Sequence, residues 1–262
     1  MALSEGRMQR IRAVAVRRQR GLIVVLEGLD QPANVGAALR TCDGYGVATI
    51  CHIRPDHASA KGAAALPWPF NAAAPVMLAC SKSASAWLRH RCFESAADCA
   101  AWLASESVPS VATTPPHDEL KEWSGQLEPE PEPEGLEHAL ALPHRVRELC
   151  GEAGALPWGG PRLAVWFGNE SRGLSRAALR LVRAMEQEGC MTVRMLGMVE
   201  SLNIAATVAV CLTEVTRQRS AARTAAAAKG SAEASSYGYE GAELEALVAE
   251  LVGVARRKAL GT

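Results

Sequence analysis

Residues 195–203 (MLGMVESLN) bring a glycine-containing loop directly against the start of an apolar helix. Before this loop, residues 191–193 are short and partly β-branched, as the end of a buried strand would be. After it, residues 202–212 are apolar with alanines at helical spacing. Backbone amides and carbonyls at a strand end suit a small polar ligand, because their geometry is set before the ligand arrives. The pattern indicates a ligand loop, although an ordinary buried strand, loop and helix would look similar.

A second segment near the N-terminus carries a candidate cation. Residues 22–26 are a continuous apolar run, which predicts a fully buried strand, and the next helix contains Asn34, Gly36 and Arg40. Asn34 is placed as a helix N-cap. Gly36 and Arg40 are four residues apart and share one helix face, so the missing side chain at Gly36 is expected to leave room beside the guanidinium.

A third segment presents a carboxylate. Residues 163–167 predict another buried strand, which breaks at Gly168 before a helix that starts near Arg176. Gly168 and Gly173 bracket Glu170, and this indicates a tight turn that presents the carboxylate at the carboxyl end of a strand.

Together these segments resemble, in order and spacing, the three motifs of the SPOUT superfamily of RNA methyltransferases, in its TrmH (SpoU) branch. The matching positions are Asn34, Gly36 and Arg40, then Gly168, Glu170 and Gly173, then Met195, Gly197, Ser201, Leu202 and Asn203. The resemblance covers roughly residues 7–114 and 161–219. Within the branch, the third motif is most similar to enzymes that 2′-O-methylate a guanosine in the tRNA D-loop.

The resemblance implies a fold and a site. The fold would be α/β, with a SPOUT-type parallel sheet and a C-terminal deep trefoil knot made by residues 168–215, a rare exception to unknotted topology. S-adenosylmethionine would be the methyl donor, without a metal. The catalytic residues would be Arg40, Asn34, Glu170, Ser201 and Asn203. The cofactor would contact Thr113, Gly168, Val193, Met195 and Leu202. The expected partners are tRNA or another structured RNA, and a second copy of the chain packed through residues 201–215.

The implied chemistry leaves the role of Arg40 open. The family assigns this arginine to removal of the ribose 2′-hydroxyl proton, yet a guanidinium is effectively always protonated and cannot act as a base. Holding the adjacent phosphate and stabilising the developing alkoxide are alternatives. For Asn34 and Ser201, ordinary helix capping is the alternative to a functional role.

Other functions stay open at this level. A ribosomal RNA 2′-O-methyltransferase is one alternative, and a catalytically weak RNA-binding module of the same fold is another. Arg194 and Ala205, where the family usually has proline and a second serine, favour the weak module, whereas intact Arg40, Glu170 and Asn203 oppose it. A dinucleotide-binding dehydrogenase is disfavoured because no Gly-x-Gly-x-x-Gly follows an early strand.

Composition predicts one catalytic domain with tails. The 262 residues are 48% hydrophobic, enough for one sizeable core. We expect a basic N-terminal helix in residues 1–20 and the methyltransferase domain in 21–220, interrupted by a Pro/Glu-rich insertion at about 115–160. A short helix around 136–150 could lie within this insertion. Residues 221–262 are expected to form a linker, over 221–236, and a short helix over 241–259.

Charge is segregated although the formal net charge is zero. The two basic strips are Arg7, Arg10, Arg12, Arg17, Arg18 and Arg20 at the N-terminus, and Arg217, Arg219, Arg223 and Lys229 after the last core helix. They either bind phosphate or form solvated helix faces.

The cysteines and histidines indicate the redox environment of the protein and whether it binds a metal. The eight cysteines form no Cys-x-x-Cys pair and six histidines show no metal-ligand spacing, so reduced thiols and no zinc are expected. No stretch reaches the length of a membrane span, and the arginine-rich start lacks the apolar core of a secretory signal. We therefore expect an intracellular, cytoplasmic protein without a membrane partner, with an organelle presequence as the alternative.

Overall fold

The structure, a computed structural model, describes residues 2–55, 66, 68–114, 146–148, 157–170, 172–184, 190–199 and 201–260. In this part of the chain seven strands form one sheet in the order β3-β2-β1-β6-β4-β7-β5. The strands are β1 (Gln19–Glu27), β2 (Val47–Ile53), β3 (Arg89–Phe93), β4 (Ser110–Thr113), β5 (Val146–Glu148), β6 (Leu163–Phe167) and β7 (Cys190–Thr192). Every described pairing is parallel, which confirms the predicted α/β fold with a parallel sheet.

Helices cover both faces of the sheet. They are α1 (Glu5–Arg17), α2 (Pro32–Gly44), α3 (Pro75–Cys80), α4 (Ala96–Ser105), α5 (Arg176–Ala184), α6 (Ile204–Ala228) and α7 (Gly241–Leu260). Alternate side chains of β1 point to opposite faces: Leu22, Val24 and Leu26 pack with α2 and α6, whereas Ile23 and Val25 pack with α4 and α5. A strand buried on both faces needs a continuous apolar run, and this explains residues 22–26.

The two ends of the chain pack against each other. Ile11 and Ala15 of α1 are buried with Leu247 and Leu251 of α7. The predicted C-terminal helix over 241–259 is therefore present, and its apolar stripe covers α1. Within the described residues, no helix is both long and apolar enough to cross a membrane.

The predicted linker over 221–236 is wrong. Helix α6 continues to Ala228, and a 3-10 helix follows at Ala232–Tyr237. Alanine has the highest helix propensity, so an alanine-rich stretch extends a helix that tertiary contacts already anchor. Buried Arg219, Ala226 and Tyr237 supply that anchoring.

The predicted insertion at about 115–160 falls mostly on residues 115–145 and 149–156, which lie outside the described residues. Two described pieces belong to the domain itself. Val146–Glu148 is a strand paired with β7, so the helix expected around 136–150 is wrong at these residues. Trp158 follows in a 3-10 helix at Pro157–Gly159. It is fully buried in the same hydrophobic core as the apolar residues of α6. The core therefore resumes before residue 160.

Candidate active site

Three of the residues expected to bind a cofactor lie at one edge of the sheet. Thr113 ends β4, Gly168 follows β6 and Val193 follows β7, and β4 lies between the other two strands. Because parallel strands end at the same edge, these backbone positions are neighbours. The Thr113 hydroxyl donates to the carbonyl of Trp166 at 2.8 Å, so its side chain ties β4 to β6.

Three polar side chains from the three motif segments meet at this edge. Asn34 Nδ2 donates to Glu170 Oε2 at 2.6 Å. Asn203 Nδ2 donates to Asn34 Oδ1 at 3.0 Å and to Glu170 Oε1 at 3.1 Å. We call Asn34, Glu170 and Asn203 the polar trio. Each Glu170 oxygen accepts from one amide, so the carboxylate is fixed in orientation although it is exposed.

The two asparagines relate differently to their helices. Asn203 caps α6, since its Oδ1 accepts from the Ala205 amide at 3.0 Å. The expectation that Asn34 caps α2 is wrong, because Pro32 starts the helix and Gln31 occupies the cap position without a side-chain hydrogen bond. Asn34 lies in the first turn, where its amide can reach across to Glu170.

A tight turn presents Glu170, as the glycines predict. Asn169 and Gly173 exchange backbone hydrogen bonds of 2.8 and 2.7 Å. A Cβ atom at Gly168 would lie 2.0 Å from the carbonyl carbon of Gly173, so only glycine fits there. Gly173 has a φ of +65°, which also favours glycine.

A buried carboxylate that sequence reasoning missed ties this turn to β1. Glu27, at the end of β1, accepts from the Ser175 amide at 2.8 Å and from its hydroxyl at 2.7 Å. The Ser175 hydroxyl in turn accepts from the Ala178 amide, so it caps α5. Asn169 Nδ2 donates to the Gly28 carbonyl at 3.0 Å. A charged residue ending an apolar strand, and a serine before a helix, are signals that could have found this link.

Arg40 is not brought to the polar trio within one chain. Six residues separate it from Asn34, which is about 9 Å along α2 and about 120° around it. Its side chain is exposed and has no hydrogen bond or ion pair to a described residue. The room expected beside it is filled: a Cβ at Gly36 would lie 2.5 Å from Cys80 Cβ and 2.6 Å from Cys80 C. Gly36 therefore serves the close approach of α3.

The third motif loop is largely exposed. Met195 and Leu202 are half-buried, whereas Leu196 is 88% exposed and Met198 is fully exposed. A Cβ at Gly197 would meet nothing within 4 Å. Ser201 is exposed and has no hydrogen bond to a described residue, since Asn203 takes the cap of α6. The structure therefore does not connect Ser201, a predicted catalytic residue, to the trio by a hydrogen bond.

The sheet edge offers polar groups to a ligand. A cleft of about 240 Å³ is lined by Leu29, Asp30, Gln31, Asn34, Asn169, Glu170, Arg172 and Ile204. The hydroxyls of Thr114 and Thr192, at the ends of β4 and β7, are buried without a partner among the described residues. A buried hydroxyl without a partner is costly, so a polar ligand at these strand ends would satisfy both. The described residues contain no cluster of three or more histidine, cysteine, aspartate or glutamate side chains that could hold a metal ion.

Comparison with known proteins gives consistent relatives. The chain is 29% identical over 216 residues to the tRNA (guanosine(18)-2′-O)-methyltransferase of Thermus thermophilus, covering 82% of this chain and 84% of that protein. Its fold is similar to the A. aeolicus TrmH/SpoU tRNA modifying enzyme, with a TM-score of 0.58, 20% identity and 97% of each chain covered.

The fold is also similar to the SpoU methyltransferase AviRb from Streptomyces viridochromogenes, solved in complex with its cofactor AdoMet. The TM-score is 0.50 and the identity 17%, over 78% of this chain and 62% of that one. The family model described as SpoU rRNA Methylase matches residues 21–213. This range includes the whole polar trio, the described strands β2 to β7 and all but the first two residues of β1. By this match the chain belongs to the SpoU methylase family.

Proposed function

We propose that this protein transfers the methyl group of S-adenosylmethionine to a ribose 2′-hydroxyl of RNA, with a guanosine in the tRNA D-loop as its target. The observation that carries the proposal is the polar trio, in which one residue from each motif segment joins the others by hydrogen bonds of 2.6–3.1 Å. Membership of the SpoU methylase family supports the reaction. The name of the Thermus thermophilus relative supports guanosine in tRNA.

We assign S-adenosylmethionine to the carboxyl edge of the sheet. Backbone groups of Gly168, Val193, Met195 and Leu202 would hold it, together with Thr113. The unpartnered hydroxyls of Thr114 and Thr192 support a polar ligand at these strand ends. When bound, the sulfonium supplies an electrophilic methyl group, so the protein must mainly align the ribose oxygen for in-line attack.

The side chains divide the remaining work. Asn34 and Asn203 hold the Glu170 carboxylate in one orientation, and Glu27 holds the turn that carries it through Ser175. We assign Arg40 to the phosphate next to the reacting ribose and to the alkoxide that develops there, because its guanidinium stays protonated and carries a rigid fork of donors.

A homodimer would bring Arg40 of one protomer to the polar trio of the other. Within one chain no hydrogen bond or ion pair joins Arg40 to the polar trio. Leu196, Met198 and Val199 expose an apolar patch on the third motif loop, and such patches mark protein interfaces. The small side chains of Ala205, Ala206 and Ala209 leave a low surface on α6 for close helix packing. We propose that Arg40 of one protomer completes the site whose trio belongs to the other.

Mixing two inactive variants tests this arrangement. Arg40→Ala and Glu170→Ala should each inactivate a homodimer, because every site would then lack one of its two parts. After unfolding and refolding together, the mixed dimer would contain one intact site, so up to about half of the activity per mixed dimer should return. If each site belonged to a single chain, both sites of the mixed dimer would be defective and no activity would return. A monomer by light scattering at micromolar concentration would also overturn the dimer.

We further propose that residues 168–215 form the deep trefoil knot. The strand order supports it, because β7 lies between β4 and β5 and the chain after β7 returns past the second motif loop to begin α6. An experimental density map traced from residue 168 to 215 tests the knot. A backbone trace without a knot would contradict this proposal and would leave the proposed reaction unaffected.

Nucleoside mass spectrometry tests the function. The protein is incubated with S-adenosylmethionine and either tRNA or ribosomal RNA, and the RNA is digested to nucleosides. We expect 2′-O-methylguanosine from the tRNA D-loop. The description of the matching family names ribosomal RNA methylases, which supports ribosomal RNA as the second candidate, and product in that arm alone would select it. A methyl group on a base would overturn ribose methylation.

A further inference from the structure

A buried carboxylate beside the polar trio has no partner among the described residues. Asp30 lies in the short loop between β1 and α2, and it is 8% exposed. Its backbone carbonyl accepts from the Leu66 amide at 3.1 Å, but its carboxylate makes no hydrogen bond or ion pair with a described residue. Burying a charge without a partner is costly, so this carboxylate is suited to a ligand that brings hydrogen-bond donors.

Asp30 lines the same cleft as two members of the polar trio. We call this cleft, which is lined by Asp30, Gln31, Asn34 and Glu170 among others, the trio cleft. Its volume is about 240 Å³, whereas sites for drug-sized ligands occupy roughly 300–1,000 Å³. The trio cleft therefore suits one planar ring system better than a whole nucleotide.

The trio cleft is separate from the position assigned to S-adenosylmethionine. The cofactor is assigned to Thr113, Gly168, Val193, Met195 and Leu202, and none of these is among the described residues that line the trio cleft. Because a nucleobase is bonded directly to its ribose, a ribose held at the polar trio would place its own base next to the trio cleft. The cleft is thus available to the base of the reacting nucleoside while the cofactor is bound.

We propose that Asp30 recognises the base of the methylated nucleoside by accepting hydrogen bonds from N1–H and N2–H of guanine. This inference rests on the proposed function, which supplies RNA as the substrate. A carboxylate can accept two parallel hydrogen bonds, and among the RNA bases guanine alone presents two adjacent N–H donors of this kind on its Watson–Crick edge. Adenine would instead turn the lone pair of its N1 towards the carboxylate, and the two would repel each other.

Gln31 can complete the recognition from the next position in the chain. Its side chain is exposed, makes no capping hydrogen bond at the start of α2, and lines the trio cleft. The amide Nε2 can donate to O6 of guanine, which lies on the same edge of the base as N1–H and N2–H. In adenine an amino group occupies that position, so the Gln31 donor would meet another donor. Asp30 and Gln31 together therefore match the acceptor and donors of guanine.

Inosine at the methylated position tests the contact, because it keeps O6 and N1–H of guanosine but lacks the 2-amino group. Two synthetic tRNAs that differ only at this position are compared with the wild type and with Asp30→Asn. The wild type should methylate the inosine tRNA with a kcat/KM about tenfold to a hundredfold lower, because one hydrogen bond to a charged group is lost. Asp30→Asn keeps one acceptor oxygen, which N1–H of either base can use, so the two tRNAs should react nearly equally.

Two further variants and two measurements serve as controls. Asp98→Asn makes the same carboxylate-to-amide change at an exposed residue of α4 outside the trio cleft, so it should keep the wild-type preference for guanosine. Gln31→Ala should lower kcat/KM for both tRNAs by the same factor, because both bases carry O6. Asp30→Asn should leave S-adenosylmethionine binding unchanged. It should not lower the free energy of unfolding, because it removes an unpaired buried charge.

Three results would overturn the inference. The first is a wild type that methylates both tRNAs equally, because the 2-amino group would then make no contact. The second is an Asp30→Asn variant that keeps the wild-type preference for guanosine. The third is an equal loss of kcat/KM with both tRNAs in Asp30→Asn, because Asp30 would then support the fold or the polar trio instead of binding the base.

The inference and the proposed function can fail separately. If the wild type methylates guanosine and Asp30→Asn keeps the preference, the reaction stands and the assignment of Asp30 falls. If the wild type methylates neither tRNA, the proposed reaction fails, and equilibrium binding of the same two tRNAs tests Asp30. Tighter binding of the guanosine tRNA by the wild type but not by Asp30→Asn would then support base recognition. Equal binding of both tRNAs by the wild type would overturn it.

Discussion

Asn34 shows how one side chain changes its role when its helix starts three residues earlier than its pattern suggests. Asparagine before an apolar stretch is typical of an N-cap, yet Pro32 begins α2 and frees the Asn34 amide. That amide then donates to Glu170 and accepts from Asn203. Two amides hold the Glu170 carboxylate in one orientation although it is exposed. The trio therefore depends on both carboxylate oxygens being hydrogen-bond acceptors.

Glu170→Gln tests that property. The substitution replaces one acceptor oxygen with an NH₂ group, which faces an asparagine NH₂ and cannot accept from it. Hydrogen bonds to charged groups contribute about 1.5–3 kcal/mol, so kcat/KM for methyl transfer should fall about tenfold to a hundredfold. The melting temperature should change little because Glu170 is exposed. Unchanged kcat/KM would mean that the trio does not act in the reaction.

Arg40→Ala should separate binding from turnover. The Arg40 side chain is exposed and makes no hydrogen bond or ion pair to a described residue, so its removal should change the free energy of unfolding by less than about 0.5 kcal/mol. S-adenosylmethionine binding, measured by calorimetry, should stay near the wild-type value while most methyl transfer is lost. Arg40→Lys should restore little activity, because lysine lacks the planar fork. Equal loss of binding and turnover would place Arg40 at the cofactor instead.

Strands β2 and β3 are joined by a pair of histidines, of which His52 is buried and His90 is half-buried. His52 Nε2 and His90 Nδ1 lie 2.9 Å apart, His90 Nε2 lies 2.8 Å from the Ser85 carbonyl, and Phe70 stacks on His52. Burial lowers the pKa of both histidines, and the neighbouring His90 lowers that of His52 further. The pair is therefore neutral in the fold.

Acid should weaken the fold through this pair. A histidine in the unfolded chain has a pKa of about 6.5. Below that pH the unfolded chain binds protons that the folded pair does not bind, and this favours unfolding. Stability from this source is fully present above pH 6.5 and falls as the pH drops towards the lowered folded values, by at most about 1.4 kcal/mol per histidine and pH unit. Urea unfolding at pH 7.5 and 5.5 measures it. His52→Gln/His90→Gln should show the smaller difference between the two pH values; an equal difference would rule the pair out.

The elements differ in how well the sequence predicts them. Strands β1 and β6 are apolar runs bounded by glycine or by a charge, and this local pattern predicts them correctly. The linker expected over 221–236 fails because composition cannot show that Arg219 and Ala226 are buried. Gly36 fails for the same reason: its neighbour is Cys80, which follows about 44 residues later and is brought close only by the fold.

The molecule has zero formal net charge, and its C-terminal helix neutralises arginines of the N-terminal segment and of β3. Glu243, Glu245 and Glu250 of α7 pair with Arg20, Arg12 and Arg89. The N-terminal basic strip is therefore not a uniform phosphate-binding surface. Arg18 is internal, Arg12 and Arg20 are paired, and Arg10 and Arg17 remain exposed without a partner among the described residues.

Arg18→Gln and Arg10→Gln should therefore have different effects on the free energy of unfolding. Removing Arg18 leaves Asp43 and two carbonyls without their donor, so the free energy of unfolding should fall by about 3–5 kcal/mol. Removing exposed Arg10 should leave stability within about 0.5 kcal/mol of the wild type. Urea denaturation monitored by circular dichroism measures both. Similar stability losses would contradict the division between internal and exposed arginines.

The strand order also determines when the sheet can be completed during synthesis. Leu22 of β1 pairs with Leu163 of β6, about 140 residues later in the chain. At a translation rate of about 5–20 residues per second, the apolar edge of β1 waits roughly 7–28 s on the ribosome before its partner emerges. Until then an edge strand with an apolar surface is open to pairing with other nascent chains. Chaperone occupancy on the ribosome is thus expected to begin after β1 emerges and to end only once β6 has been made.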